Sequence, residues 1–418
     1  MAFFALVYVV EGLGQTGGLI AQPLNYFLKE QYGWSPVQVT AYLTVLNFPW
    51  IIKPVYGLVS DFVPLFGYRR KAYLVLANGA AASAYFWVAW LTAPGEILFA
   101  LSLTSYAMAA SSTLSGAVLV ENGQRLGASD TFVNQEWLWF NIAAVASALL
   151  GGVLVEHLPP VGALHSAATI VGVAPFLAIF GSLFLIDEQR SRTDLVQLKA
   201  TFRALIASFH RRELWLVGGF LFLYYFNPGF GTPLYYYMTD ELRFSQQFIG
   251  MLGAVSSAGW IAGALIYRWA LRGMTSRGLL YLSITCGAAA TLLFLLLADP
   301  VAAVLVNFAA GIAGMISMVA SLTLAADFCP QRSEGFTFAA LLSLTNLAMS
   351  LGDNNGSLLY EHVFAGRLAP LILVSAAATA IIAVFVPLLR LGGKRHGIAA
   401  ARAYPSEPGT VPFGRVSQ

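Results

Sequence analysis

Twelve apolar stretches, each near the length that a helix needs to cross a bilayer, leave this 418-residue chain little to fold into except a membrane protein. Spanning the hydrocarbon takes about 20 mostly apolar residues per helix. The stretches fall at 2–28, 36–59, 72–93, 96–120, 131–156, 161–186, 213–239, 246–270, 278–298, 301–325, 334–359 and 368–391. Charged residues make up 10% of the chain, against about 25% in an ordinary soluble domain, and the mean hydropathy is +0.71. The stretches lack the strict alternation of barrel strands and are too long for them. Helices satisfy their backbone polar groups internally, so the expected fold is an all-α integral membrane protein with twelve transmembrane helices in two six-helix bundles. The bundles are expected at 1–186 and 213–391, joined by a polar cytoplasmic linker at 187–212 and followed by a flexible tail at 392–418. No basic n-region precedes the first span, which is expected to act as its own insertion signal.

Lysine and arginine set the orientation of such a chain. Of the 23, only Lys29, Arg243 and Arg367 fall at the face opposite the termini, and Lys53 lies inside a helix. The rest cluster in the loops beside the termini, so both termini are expected in the cytoplasm and the chain in the cell's inner or plasma membrane. Cys286 and Cys329 are too few for a disulfide framework. No phosphate-cradling Gly-x-x-x-x-Gly-Lys loop, no His/Cys cluster at metal spacing and no nucleophile elbow stands out. Neither cofactor, metal nor enzyme chemistry is expected, and the small net charge of +3 does not suggest nucleic acid.

Ionisable groups inside the membrane cost at least about 2.5–3.5 kcal/mol each at the bilayer centre, so the few present carry information. Glu11, Gln15, Gly18, Gln22 and Asn25 share one face of a continuous first helix. Glu11 lies near the midplane and is the first candidate for substrate or proton contact; the alternative is a hydrogen bond that locks the helix to its neighbours. Ser343, Asn346, Ser350, Asp353 and Ser357 form a matching stripe in the eleventh span. In the seventh, Tyr224 and Asn227 are candidates beside Pro228 and Gly229, which allow a bend. Tyr235, Tyr236 and Tyr237 read as an interfacial belt. Asn47, Asn141 and Asn307 read as helix clamps. Lys53 reads best as paired with Asp61 or Glu121, with capture of a substrate carboxylate as the alternative. Asp61, Arg69, Arg70, Glu121 and Glu136, with Arg125, Arg332 and Glu334, are placed for ion pairs that close the cytoplasmic side.

The segment Pro49 to Tyr73, with Lys53-Pro54, Gly57-x-x-x-Asp61, Pro64 and Gly67-Tyr68-Arg69-Arg70, resembles the gating loop of the major facilitator superfamily, and within it the folate–biopterin transporter family. Glu11-Gly12 with Tyr26 to Glu30, and Phe328-Cys329-Pro330 with Glu334-Gly335 and Asn346, extend that resemblance over nearly the whole chain. The resemblance implies a secondary active transporter that moves a folate- or pterin-like planar organic anion by alternating access, with a proton as coupling ion, working as a monomer. Two aspartates that the family's fourth helix carries correspond here to Ser112 and Gly116, leaving only Glu121. That departure keeps two alternatives open: a transporter or exporter of another small organic solute, and a non-transporting scaffold on the same fold.

Overall fold

A computed structural model of the chain describes residues 1–126, 129–188, 190, 212–271, 273–328 and 334–389. Twelve helical spans cross it: α1 (Ala2–Gly14, resuming at Ala21–Tyr26), α2 (Pro36–Ile51, then Lys53–Phe62), α3 (Lys71–Val88), α4 (Pro94–Arg125), α5 (Ser129–His157), α6 (Pro160–Val173, then Pro175–Phe184), α7 (Arg212–Tyr225, resuming at Gly231–Tyr236), α8 (Gln246–Ile266), α9 (Ser276–Leu293), α10 (Pro300–Asp327), α11 (Glu334–Leu358) and α12 (Leu368–Ile381, then Ile382–Leu389). Most of the 187–212 linker (189 and 191–211) and the tail fall outside the described residues, as do the side chains of Arg125, Arg332 and Glu334. Among the described residues, seven spans are long and apolar enough to cross a membrane by length and composition. The other five are α1, α2, α3, α7 and α11, which are broken, kinked or diluted with polar residues.

Large apolar side chains face outward while small polar ones are buried. Leu305, Val384 and Phe99 are exposed, whereas Ser60, Asn78, Ser115 and Ser283 are sealed between helices. This is the packing expected when lipid is the solvent, where small residues let backbones approach. At the α5–α8 crossing, a Cβ on Gly250 would lie 2.5 Å from the Ala148 carbonyl oxygen. At the α8–α10 crossing, a Cβ on Gly311 would lie 2.2 Å from the Ser256 carbonyl oxygen.

The first span is not the continuous helix expected from its stripe. Gly14, Gly17 and Gly18 weaken it, and Pro23 has no N–H for the Leu19 carbonyl. The chain leaves helical geometry from Gln15 to Ile20, bridged by a bond from Leu19 N to the Leu13 carbonyl. The same device recurs in register in the second bundle. Pro233 follows the break in α7, and both continuations run into a wider π-helical turn, Phe27–Gln31 and Tyr237–Glu241. Gly33 and Arg243 then turn the chain with positive φ, and Ser35 and Ser245 cap the next helix.

These two continuations meet on the face opposite the termini and close it. Lys29 Nζ lies 2.5 Å from Asp240 Oδ1 and 2.8 Å from Glu30 Oε1. Gln22 donates to the Gln246 carbonyl at 2.8 Å, Tyr236 donates to the Trp34 carbonyl, and Glu361 accepts from Val37 N at 3.3 Å. Deeper in, Thr40 and Ser357 share a bond of 2.8 Å, and Asn354 donates to Thr44. Tyr235 and Tyr236 are therefore buried between the bundles rather than placed in an interfacial belt. The break in α7 redirects their helix across its partner.

Burial lowers the Lys29 pKa, but its hydrogen bonds to Asp240 and Glu30 outweigh that and hold it above the ordinary 10.5. A raised lysine pKa adds stability that is complete below the ordinary value and lost only as pH climbs through the raised one. Lys29 thus keeps this latch charged across the neutral range. Partly exposed pairs contribute up to about 1 kcal/mol, roughly a fivefold population bias. In a background lacking Cys286 and Cys329, Lys29→Ala should raise several-fold the labelling of a Gln15→Cys reporter by an impermeant maleimide added to this face. Because the thiolate fraction itself changes with pH, the comparison is the ratio of Lys29→Ala to parent labelling at one pH, and that ratio should be the same at pH 6.5 and 8.5. Unchanged labelling in Lys29→Ala would show that the pair does not close the face. A second expectation concerns packing. Gly356→Val, whose Cβ would lie 1.8 Å from the Gly229 carbonyl oxygen, should cost about 1–3 kcal/mol and lower Tm. Gly79→Ala, with nothing within 4 Å, should leave Tm unchanged or slightly raised.

Candidate transport site

The first polar cluster lies in the amino-terminal bundle and begins at the end of the intact part of α1. Ser112 of α4 donates to Glu11 Oε1 at 2.7 Å and accepts from Lys53 Nζ at 3.0 Å. The Lys53 ammonium also stands 4.7 Å from the Trp50 ring centroid, a cation–π contact. Glu136 of α5 is within electrostatic reach of both Glu11 and Lys53. Two acidic side chains thus lie around one lysine, Glu11 linked to it through Ser112 and Glu136 acting at longer range.

This placement corrects two readings. Lys53 does not pair with Asp61 or Glu121, because the kink at Ile52 and the helix restarting at Lys53-Pro54 turn its side chain towards α4 and the bundle interior. Glu136 sits with Glu11 and Lys53 rather than in the loop network, because α5 carries it a turn or more inside the helix. Ser112, noted only as a departure from the family pattern, is the bridge between the charges.

Proline also explains how the cluster is tied to the other bundle. Pro54 has no N–H to give the Trp50 carbonyl four residues earlier. Asn346 of α11 donates to that carbonyl at 3.1 Å instead. Asn47 accepts from Thr16 at 2.8 Å and does clamp two helices, whereas Asn141 and Asn307 donate back to their own helices.

The second cluster surrounds the break in α7. Gly229 N donates to the Gly352 carbonyl at 3.0 Å, a backbone bond between helices. Only glycines permit it, since a Cβ on Gly352 would stand 2.3 Å from the Asn227 carbonyl oxygen. Asn227 donates to Thr379 at 3.0 Å, Tyr224 to Ser317 at 2.9 Å and Tyr225 to Ser321 at 3.0 Å. Beside them opens a cavity of about 210 Å³ whose wall includes Asp353. Asp353 is exposed to it and makes no ion pair or hydrogen bond with a described residue.

The remaining sequence-predicted residues divide between two places. Gln15 caps the intact part of α1 at the break. Gln22 belongs to the closed face, because the break rotates the continuation of α1 away from the line of Glu11. On the face that carries the amino terminus, Arg70 holds Ser60, Asp61 Oδ1 at 2.5 Å and Glu121 Oε1 at 3.2 Å. Sequence reasoning passed over Glu188, whose carboxylate accepts the backbone N–H groups of Arg69, Arg70 and Lys71 at 2.8–3.0 Å. A carboxylate on the exposed amides of a helix start is favourable, and its signal was an acidic pair closing the sixth span. Arg69 joins this network through its backbone. Among the described residues, none of these contacts reaches the carboxyl-terminal bundle.

The fold and these sites have counterparts among known proteins. The chain superposes on the solved nucleoside transporter NupG with a TM-score of 0.68, at 15% identity, over 93% of this chain and 99% of that one. It superposes on a D-xylose–proton symporter with a TM-score of 0.67, at 11% identity, over 92% and 96%. At these identities the likeness is one of fold, that of the major facilitator transporters. In sequence, the folate-biopterin transporter of Synechocystis sp. is 28% identical over 412 residues, covering 92% of this chain and 81% of the relative. Folate transporter 2 of Plasmodium falciparum is 25% identical over 362 residues, covering 82% and 76%. The BT1 family model matches residues 13–391, and the chain belongs to the BT1 family as a multi-pass membrane transporter rather than an enzyme.

Proposed function

We propose that this protein is a secondary active transporter that moves a folate- or pterin-like planar organic anion by alternating access, coupled to protons, as a monomer. The observation that carries the reading is the chain Glu11–Ser112–Lys53, with Glu136 within electrostatic reach, inside the amino-terminal bundle. The names of the relatives supply the substrate class: a folate-biopterin transporter and a folate transporter.

The charge balance gives the coupling. With both carboxylates ionised, the cluster holds one negative charge too many. At 4 Å and an effective dielectric near 20, an uncompensated carboxylate repels an incoming anion by about 4 kcal/mol, roughly a thousandfold in affinity. A proton on Glu11 removes that repulsion, releases Ser112 and frees Lys53 to meet a substrate carboxylate. Anion and proton then enter together. Gln15, Tyr224, Asn227, Asn346 and Asp353 complete the path, and Gln22 serves its closed end. The excess of basic residues at the face with the termini assigns it to the cytoplasm. The cross-bundle contacts close the other face in this arrangement. In it, Asp61, Arg70 and Glu121 are gate residues held within one bundle.

Proteoliposomes with an imposed inward proton gradient should accumulate radiolabelled folic acid saturably. Glu11→Gln should lose at least tenfold of that accumulation while retaining gradient-free exchange of labelled for unlabelled solute. Undiminished accumulation in this variant would remove Glu11 from coupling, and no uptake by folded wild type would detach folate from the fold. Lys53→Met should be poorly folded, since removing one partner of a buried charge set costs about 3–5 kcal/mol. The double variant Lys53→Met/Glu11→Gln should recover much of the lost Tm. A double variant as unstable as Lys53→Met would argue against their shared electrostatics.

A further inference from the structure

The break in α7 leaves a pair of backbone carbonyls that the anion-coupling reading does not use. Pro228 has no N–H, and the Gly229 N–H is turned to the Gly352 carbonyl. The carbonyls of Tyr224 and Tyr225 therefore lose the donors that a further helical turn would have supplied. They stand at the carboxyl end of a helix, where the summed peptide dipoles are negative. Asp353 sits against the same break: a Cβ on Gly229 would lie 1.9 Å from its Oδ1. Asp353, Tyr224, Tyr225, Asn227, Ser317 and Thr379 all line the one cavity, which has no lysine, arginine or histidine in its wall.

One carboxylate among neutral oxygens is the donor set of a hard monovalent cation. Among the described residues no group of three His, Cys, Asp or Glu stands together, so a chelated divalent ion has too few charged ligands. Half-helix ends with freed carbonyls hold coupling ions in other transporters built on broken helices. The volume of about 210 Å³ exceeds that of a bare ion, at roughly 30 Å³ per water, and accommodates one that keeps part of its hydration. We infer that the α7 break with Asp353 of α11 is a monovalent-cation site of the carboxyl-terminal bundle, separate from the Glu11 cluster.

The occupant is a sodium ion or a proton, and the two share this chemistry. The titratable groups facing Asp353 are Tyr224 and Tyr225 of α7, with Cys286 of α9 beside Tyr224. α10 and α12 supply the Ser317 and Thr379 hydroxyls. α2, packed on α11, carries Lys53, which is held to Ser112 of α4. Asp353 and Asn346 lie seven residues apart on α11, about 10 Å along the axis. Since Asn346 bonds the Trp50 carbonyl next to Lys53, a cation at the break acts on the same helix that meets the first cluster.

The site is tested on the purified full chain without any transported solute, so the outcome is independent of the folate assignment. Thermal unfolding is followed while NaCl replaces choline chloride at constant ionic strength, and then in choline chloride from pH 5.5 to 8.5. A saturable rise in Tm of about 2–4 °C with sodium, lost in Asp353→Asn and kept in Glu11→Gln, supports a sodium site. No sodium effect, but a Tm response to pH that is lost in Asp353→Asn and kept in Glu11→Gln, supports the proton as occupant. Thr379→Val retains the carboxylate and should weaken the sodium response severalfold in half-saturation, or leave the pH response in place. If neither response depends on Asp353, the inference is overturned. It is equally overturned if Glu11→Gln removes both responses, because the two sites would then not be separate.

Discussion

The organising constraint of this protein is that a backbone carbonyl or N–H set free inside a membrane must find another partner, since no lipid can supply one. Prolines and glycines free such groups in α1, α2 and α7, and the replacements are the contacts that define the site. Asn346 takes the Trp50 carbonyl that Pro54 cannot reach. Gly352 takes the Gly229 N–H at the α7 break. Both replacements come from α11 and one crosses between bundles, so the irregular backbone is also the joint of the molecule.

Charge follows the same economy of partners. Glu11 and Glu136 lie around Lys53, with Ser112 as the neutral bridge to Glu11. A serine there keeps the bridge neutral, whereas an aspartate would add a third negative charge to the cluster. Nearer the membrane surface, Arg70 satisfies Ser60, Asp61 and Glu121 at once, and Glu188 caps the helix that Arg70 precedes. That network stiffens one bundle, while the Lys29–Asp240 and Gln22–Gln246 contacts join two. The asymmetry between a stiffened face and a stitched one is the mechanical content of the fold.

Much of this was legible from the chain. Every expected span has a helix in the structure, with boundaries differing by a few residues. Polar residues of the first, second, seventh and eleventh spans do gather into two clusters, one at Glu11 and Lys53 and one at the α7 break. What misled was the assumption that a polar stripe follows one straight helix. It joined Glu11 to Gln22, which the break in α1 sends to different ends of the molecule. It also left Tyr235 and Tyr236 in a surface belt, although the α7 break lays them between bundles. The breaks themselves were within reach, because proline's missing donor names the orphaned carbonyl four residues back.

By itself the sequence determined that the chain lies in a bilayer as helices, how many there are, and where they are weakened. Those properties depend on residues close together in the chain and on a solvent that offers no hydrogen bonds. Only the tertiary structure decided that Lys53 faces Ser112 and not Asp61, that Glu136 joins Glu11, that Glu188 caps α3, and that Asp353 borders the opened turn of α7. Such pairings depend on which helix face meets which neighbour. Close packing of glycines and small side chains between distant segments sets that, and no local period in the chain encodes it.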